Sequence, residues 1–239
     1  MVRWWFLGAV ALALAAPAHA ACVDPSTLTR STASITRYFD EGERGAGSLG
    51  IRGTAWFSSP TTMVTAEHVA SAMKLSEQGW KPVEFAQGEI KQSIFVRVGR
   101  IAGSGVEKIA ILELRTAYIG AEALQLRMEP LVAGEHVVGP AYPKNQLRFA
   151  TGRFVRYADG DPAARTALFE MYDGEDRLVL DHGASGAAIL DCEGRVVAVV
   201  SNLFTQTIQS PFRAIRISTA WGQPNIVSIP IQVLSTSNP

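Results

Sequence analysis

Cysteine, histidine and net charge are all scarce in this chain of 239 residues, which has two cysteines, four histidines and 22 basic residues balanced by 22 acidic ones. The cysteines and histidines show no metal-ligand spacing, so no metal site is expected. With only 18% charged residues and no net charge, nothing provides a basic face for nucleic acid or for a membrane surface. Long apolar runs are missing too. The stretch from Trp4 to Ala16 is uncharged, but it is shorter than the roughly 20 residues that span a bilayer. What the chain does have is 47% hydrophobic residues, 21 glycines and 12 prolines. That composition can bury a sizeable core and fits many short strands joined by turns, in one large all-β domain or two small ones.

The apolar run follows Met1-Val2-Arg3 and precedes Ala18-His19-Ala20. A positive start, an apolar stretch and a small-x-small ending are the parts of an export leader, with cleavage expected after about Ala20. An uncleaved anchor is the minor alternative. A lipid anchor on Cys22 is weaker still, because His19 stands where an aliphatic residue is wanted. Removing the leader removes Arg3 and no acid. A secreted or periplasmic protein meets an oxidising compartment, where Cys22 and Cys192 either pair or remain as two buried thiols.

Residues 21–50 are polar and rich in small side chains, and read as an N-terminal extension with a short helix around Ile35-Phe39. From residue 51 to 239 the pattern is short β-branched and apolar runs bounded by turn residues. The first group is Gly53-Phe57, Met63-Ala66, Val83-Ala86, Ile94-Ile101, Ile109-Leu114 and Leu124-Met128. The second is His136-Ala141, Arg148-Tyr157, Ala167-Tyr172, Arg177-Leu180, Ala187-Leu190, Val196-Ser201, Ala214-Ser218 and Ile226-Ile231. Only Ala66-Met73 offers a helical turn or two between them. Strands do not alternate with long helices, which argues against a doubly wound α/β fold and for paired barrels or a sandwich. The groups divide at about 51–130 and 135–239, with Leu131-Gly134 as the hinge.

Three segments carry chemistry. Met63-Val-Thr-Ala-Glu-His68 places a histidine just past a strand end, where its ring can point into a cleft. Ile109-Ala-Ile-Leu-Glu-Leu114 is an alternating strand. Gly183-Ala184-Ser185-Gly186-Ala187-Ala188 surrounds a serine with small residues. They let the backbone turn tightly, leave Oγ uncovered, and allow the amides of Gly183 and Ser185 to converge on a developing oxyanion.

These segments, in this order, resemble the trypsin superfamily, especially its bacterial Deg/Htr-like branch. The family's T-A-x-H reads Thr65-Ala66-Glu67-His68. Its D-[IL]-A-[IVL]-L reads Lys108-Ile109-Ala110-Ile111-Leu112, and its G-[DN]-S-G-G-P reads Gly183 to Ala188. The intervals match as well, with 40 residues from His68 to Lys108 and 77 from there to Ser185. The resemblance implies an all-β fold of two six-stranded antiparallel barrels with the active site in the cleft between them. It implies a serine endopeptidase acting on protein or peptide substrates, with Ser185 as nucleophile, His68 as general base, an oxyanion hole at Gly183 and Ser185, and no cofactor. By position, Val179 falls at the base of the pocket for the residue before the scissile bond, Ser201, Asn202 and Leu203 line its wall, and His182 sits at its rim. With no acid at that base, a small or apolar residue is expected there rather than Arg or Lys.

Lys108 breaks the pattern, because the family places an Asp there to orient the imidazole and stabilise its charged form. In serine proteases of this type, replacing that acid by its amide costs about 10⁴ in turnover, roughly 5.5 kcal/mol. A lysine would add repulsion of about 3–4 kcal/mol at ~4–5 Å in an effective dielectric near 20, unless its flexible stem swings to solvent. Glu107 is the neighbouring acid, but adjacent side chains on a regular strand face opposite ways, so only a bulge would bring it to His68. Two readings therefore stay open: a protease working through Ser185 and His68, and a catalytically impaired relative that binds peptides in the cleft. Ala184 also replaces the Asp or Asn before the serine, which removes the carboxylate that a trimmed N-terminus would pair with.

Other motifs carry less. Ser71-Ala-Met-Lys74 matches S-x-x-K without its companion S-D-N and K-T-G elements, and Gly183-x-Ser185-x-Ala187 falls short of the G-x-S-x-G elbow. Trp56, Trp80 and Trp221 read as packing residues.

Overall fold

The computed structural model describes residues 22–43, 49–104, 107–158, 160, 166–172, 183–203, 205–210, 213–218 and 224–235. Fourteen strands and one short α-helix run through them. The first barrel is closed by β1 (Thr32–Tyr38), β2 (Gly50–Ser59), β3 (Thr62–Ala66), β6 (Glu107–Leu114), β5 (Ile90–Ser104) and β4 (Lys81–Gln87), in that order around the wall. The second is closed by β10 (Ala188–Asp191), β11 (Val196–Leu203), β14 (Ile226–Pro230), β9 (Ala167–Tyr172), β8 (Arg148–Tyr157) and β7 (His136–Ala141). All pairings within them are antiparallel, as the sequence implied. Helix α1 (Glu67–Ala72) follows β3 directly, where helical turns were expected.

β1 is a correction. The segment around Ile35 is a strand of the first barrel, paired with β2 along its whole length and with β4 through Ser34, Ile35 and Thr36. Its polar residues hid it. Thr32 to Arg37 are all buried, and several of their polar groups are met by the elements that cover them, although Thr32 Oγ1 and Arg37 Nε are left without a partner. Ser34 Oγ meets Asn145 Oδ1 at 2.7 Å, and the Arg37 guanidinium donates to the carbonyl of Met73 at 2.7 Å and to the Glu43 carboxylate. The alternation that marks a strand with one wet face is therefore absent. Leu124-Met128 is a second correction. It is no strand of either barrel, and its only pairing is an isolated parallel bridge from Leu126 to Val196. Thr205–Ser210 (β12), which was not anticipated, pairs with Arg213–Ser218 (β13) as a separate hairpin. Arg177-Leu180 lies outside the described residues.

Trp56, Phe57, Phe85, Ile109 and Leu112 fill the first barrel, and the same apolar cluster continues through Leu190, Val199, Ile229 and Ile231 of the second. The barrels thus share a buried seam. Phe154, Phe169 and Met171 form the second barrel's own core. Cys22 and Cys192 are joined in a disulfide across 170 positions. Closing a loop of that length stabilises by about 5 kcal/mol in the chain-entropy picture. The bond ties the segment leading into β1 to the turn between β10 and β11, and Val23 N–H donates to Cys192 O at 2.9 Å beside it. No helix among the described residues is long and apolar enough to cross a membrane.

Candidate active site

β3 delivers His68. The strand ends at Ala66, and the helix begins at once, so the imidazole stands on the second helical residue at the mouth between the barrels. His68 is exposed, Ser185 is half-buried, and both line one cleft of about 450 Å³ with Gly183, Ile51, Arg52, Val69, Ala72 and Lys144. The histidine and serine, well over a hundred positions apart in sequence, are thereby brought to the same cavity.

Glycine shapes the loop that carries Ser185. Gly183 has φ +98° and Gly186 φ +90°, a left-handed backbone that disfavours any side chain. At Gly186 an added Cβ would sit 2.1 Å from Thr65 Oγ1 and 2.2 Å from Thr54 O, so the loop presses directly on the first barrel. Ala184, Ala187 and Ala188 are buried and leave the turn room to close. Among the described residues, neither the Gly183 nor the Ser185 amide has a protein acceptor. Ser185 Oγ donates to the carbonyl of Ser201 at 3.0 Å. Ser201, expected on the pocket wall, is buried on β11 and meets Ser185 Oγ through its backbone.

Thr54 was missed by sequence reasoning, although its segment was noted. It is fully buried on β2, and all its polar groups are used. Its N–H donates to Ser185 O at 2.9 Å, and its Oγ1 donates to Gly183 O at 2.6 Å and accepts from Tyr142 N–H at 3.0 Å. Its carbonyl accepts from Thr65 Oγ1 at 2.8 Å. One residue of the first barrel thus fixes two peptide planes of the nucleophile loop. The only sequence signal was a hydroxyl in a small-residue strand, too common to single out. Tyr142 completes the seam: its buried phenol accepts from Gly88 N–H at 3.1 Å in the first barrel, and burial pushes its pKa up against the smaller opposing pull of that bond.

Lys108 occupies the strand position next to Ile109, which pairs with Ala66 at the end of β3. The register from Arg100 to Ser104 against Ile111 to Glu107 is regular, and the bulge of this pair lies further along, between Val98 and Arg100. Lys108 is half-buried and meets no carboxylate among the described residues. The side chains of Glu107, Asn202 and Leu203 lie outside the described set, as do Val179 and His182 entirely. Among the described residues no group of His, Cys, Asp and Glu side chains is arranged to hold a metal ion.

The sequence model of the trypsin-like peptidase domain matches residues 53–199. No curated protein matches the chain. Among solved structures, the Rv3671c protease in its inactive form superposes with a TM-score of 0.56 at 19% identity, covering 88% of each chain. The active form of Rv3671c from M. tuberculosis superposes with a TM-score of 0.55 at 16% identity, covering 89% of this chain and 81% of the other. At such identity these structures speak to the fold, and they agree with the double barrel. With its family's domain matched across 147 residues from β2 into β11, the chain belongs to the trypsin-like peptidases.

Proposed function

We propose that the protein is an exported serine endopeptidase that cleaves peptide bonds through an acyl-enzyme on Ser185. The observation that carries this reading is that Ser185, Gly183 and His68 line one cleft, with the amides of Gly183 and Ser185 unengaged among the described residues. The leader-like residues 1–20, the Cys22–Cys192 disulfide and the family membership support export and peptide substrates.

In this mechanism the Ser185 hydroxyl swings from the Ser201 carbonyl toward His68. Its oxygen attacks the substrate carbonyl carbon as the imidazole takes the proton. The carbonyl π electrons move onto oxygen, and the amides of Gly183 and Ser185 donate to that oxyanion. Collapse breaks the C–N bond, and His68 gives its proton to the leaving amine. Water, deprotonated by His68, then attacks the ester carbonyl, and as the bond from the acyl carbon to Ser185 Oγ breaks, His68 returns the proton to Oγ and the acid product leaves. Lys108 leaves the imidazolium without the usual carboxylate, so turnover is expected to be slow rather than absent. The competing reading, a peptide binder without turnover, is favoured by Lys108 alone.

A fluorophosphonate probe tests the proposal on the chain beginning at Ala21. Covalent labelling at Ser185, lost in Ser185→Ala, is the expected result. No labelling in a folded protein that still binds peptides would transfer the assignment to the binding role.

A further inference from the structure

The cleft beside Ser185 carries cationic side chains on both walls and, among the described residues, no carboxylate. Arg52 comes from β2 of the first barrel and Lys144 from the turn after β7 of the second, and both line the same cavity as the nucleophile. Both are exposed. Arg30, Arg37, Arg97, Arg127, Arg153 and Arg195 each meet a carboxylate, whereas Arg52 and Lys144, like Arg100, Arg115, Arg148 and Arg156, meet none among the described residues. Lys144 is also held in a left-handed backbone, φ 53° and ψ 31°, followed by Asn145 at φ 64°. A long side chain is an unusual occupant of that conformation. The turn is clamped there by Ser34 Oγ on Asn145 Oδ1 at 2.7 Å and by Tyr142, whose N–H reaches Thr54 at 3.0 Å. Strain maintained by neighbouring contacts is a mark of function rather than of idle surface.

The position of this cavity says which half of a substrate it holds. Val69 and Ala72 of the His68 helix line it, and His68 is the group that delivers a proton to the leaving amine. Ser201, whose carbonyl accepts from Ser185 Oγ, does not line it. The chain departing with the amine therefore runs between Arg52 and Lys144. We infer that the enzyme selects substrates bearing a carboxylate within the first two residues after the scissile bond, as an Asp or Glu side chain or as the chain terminus. The direction of this inference rests on the Ser185–His68 reading above.

Internally quenched peptides differing only as Asp against Asn, or Glu against Gln, at the first two positions after the cleaved bond provide the test. A second pair ends there with a free or an amidated terminus, which separates side-chain from terminal carboxylates. The parent is expected to prefer the carboxylate member of at least one pair by about ten-fold in kcat/KM, the scale of two exposed charge contacts. That ratio should fall toward one in the Arg52→Gln, Lys144→Gln double variant and shrink in high salt. The same peptides titrated against Ser185→Ala by fluorescence anisotropy read the preference in affinity without any turnover, so the charge selectivity and the protease assignment can fail separately. Ratios near one in the parent protein, or a preference that survives unchanged in the double variant, would overturn the inference.

Discussion

Around Ser185 the backbone is held from the opposite barrel at every turn, with Thr54 bonded to the carbonyls of both Ser185 and Gly183 at 2.9 and 2.6 Å and Gly186 fitted against Thr65. At the end of β6 the backbone is equally regular, with Lys108 paired to Gly103, but the side chain there has the opposite charge from the one the family pattern leads one to expect. The two regions differ in what maintains them. The Ser185 loop is packed into the seam between barrels, so altering it disturbs the core. Lys108 stands near the tip of a strand, where strand pairing uses backbone groups. A lysine in place of the expected acid is therefore compatible with an intact fold.

The sharpest test of that contrast is Lys108→Asp. If the loop is intact and only the acid is missing, the substitution should raise the rate of Ser185 labelling and of peptide turnover by up to about 10⁴, or ~5.5 kcal/mol, with little change in Tm. An unchanged rate would mean that Lys108 is not beside the imidazole, or that Glu107 already serves it.

The order and spacing of the segments around His68 and Ser185 were legible because each is a short local pattern whose meaning depends on its neighbours in sequence. Most strands were legible as apolar runs between turn residues, which left paired barrels or a sandwich open, and the resemblance to the family pointed to the barrels. What escaped were contacts made across the seam. Thr36 and Arg37 of β1 look like a solvated extension until Met73 and Glu43 are seen to accept from the arginine. Thr54 looks like any strand threonine until Gly183, Tyr142 and Ser185 close around it. Leu124-Met128 has the composition of a strand, yet it serves as a linker, with Leu124 N–H donating to Phe57 O of the first barrel and Gln125 and Arg127 bonded to Val196 of the second. Periodicity reports which face is buried, not which polar group meets which.

Thr54→Val breaks the other side of the comparison. It keeps the shape, but it removes the donor to Gly183 O and the acceptor for Tyr142 N–H. Leaving two buried groups unpaired should cost about 2–4 kcal/mol. The loop amides lose their fixed direction as well. Thermal unfolding should fall, amide hydrogen exchange over 183–187 should accelerate, and labelling of Ser185 should slow, while Thr54→Ser should restore most of all three. A Thr54→Val protein with unaltered exchange and labelling would show that packing alone sets the loop.

The smallest effect should come from the far end of the His68 helix. Arg37, buried, donates to the carbonyl of Met73 just past α1 and to the Glu43 carboxylate, while Lys74 and Lys81 also reach Glu43 through its carbonyl and carboxylate. The Arg37 hydrogen bond holds the Glu43 carboxyl at about 2, against the opposing pull of its partial burial and with further help from Lys81. A carboxyl lowered by folding stabilises the folded state while it is ionised. That contribution is complete above the ordinary carboxylate range and drains away as pH falls from about 4.5 toward 2. In thermal melts the parent should therefore lose its advantage over Glu43→Gln across that window and keep it unchanged above pH 5. Parallel curves would mean that Arg37 is held by Met73 alone, and the helix bearing His68 would then owe its anchorage to a backbone carbonyl rather than to a charge pair.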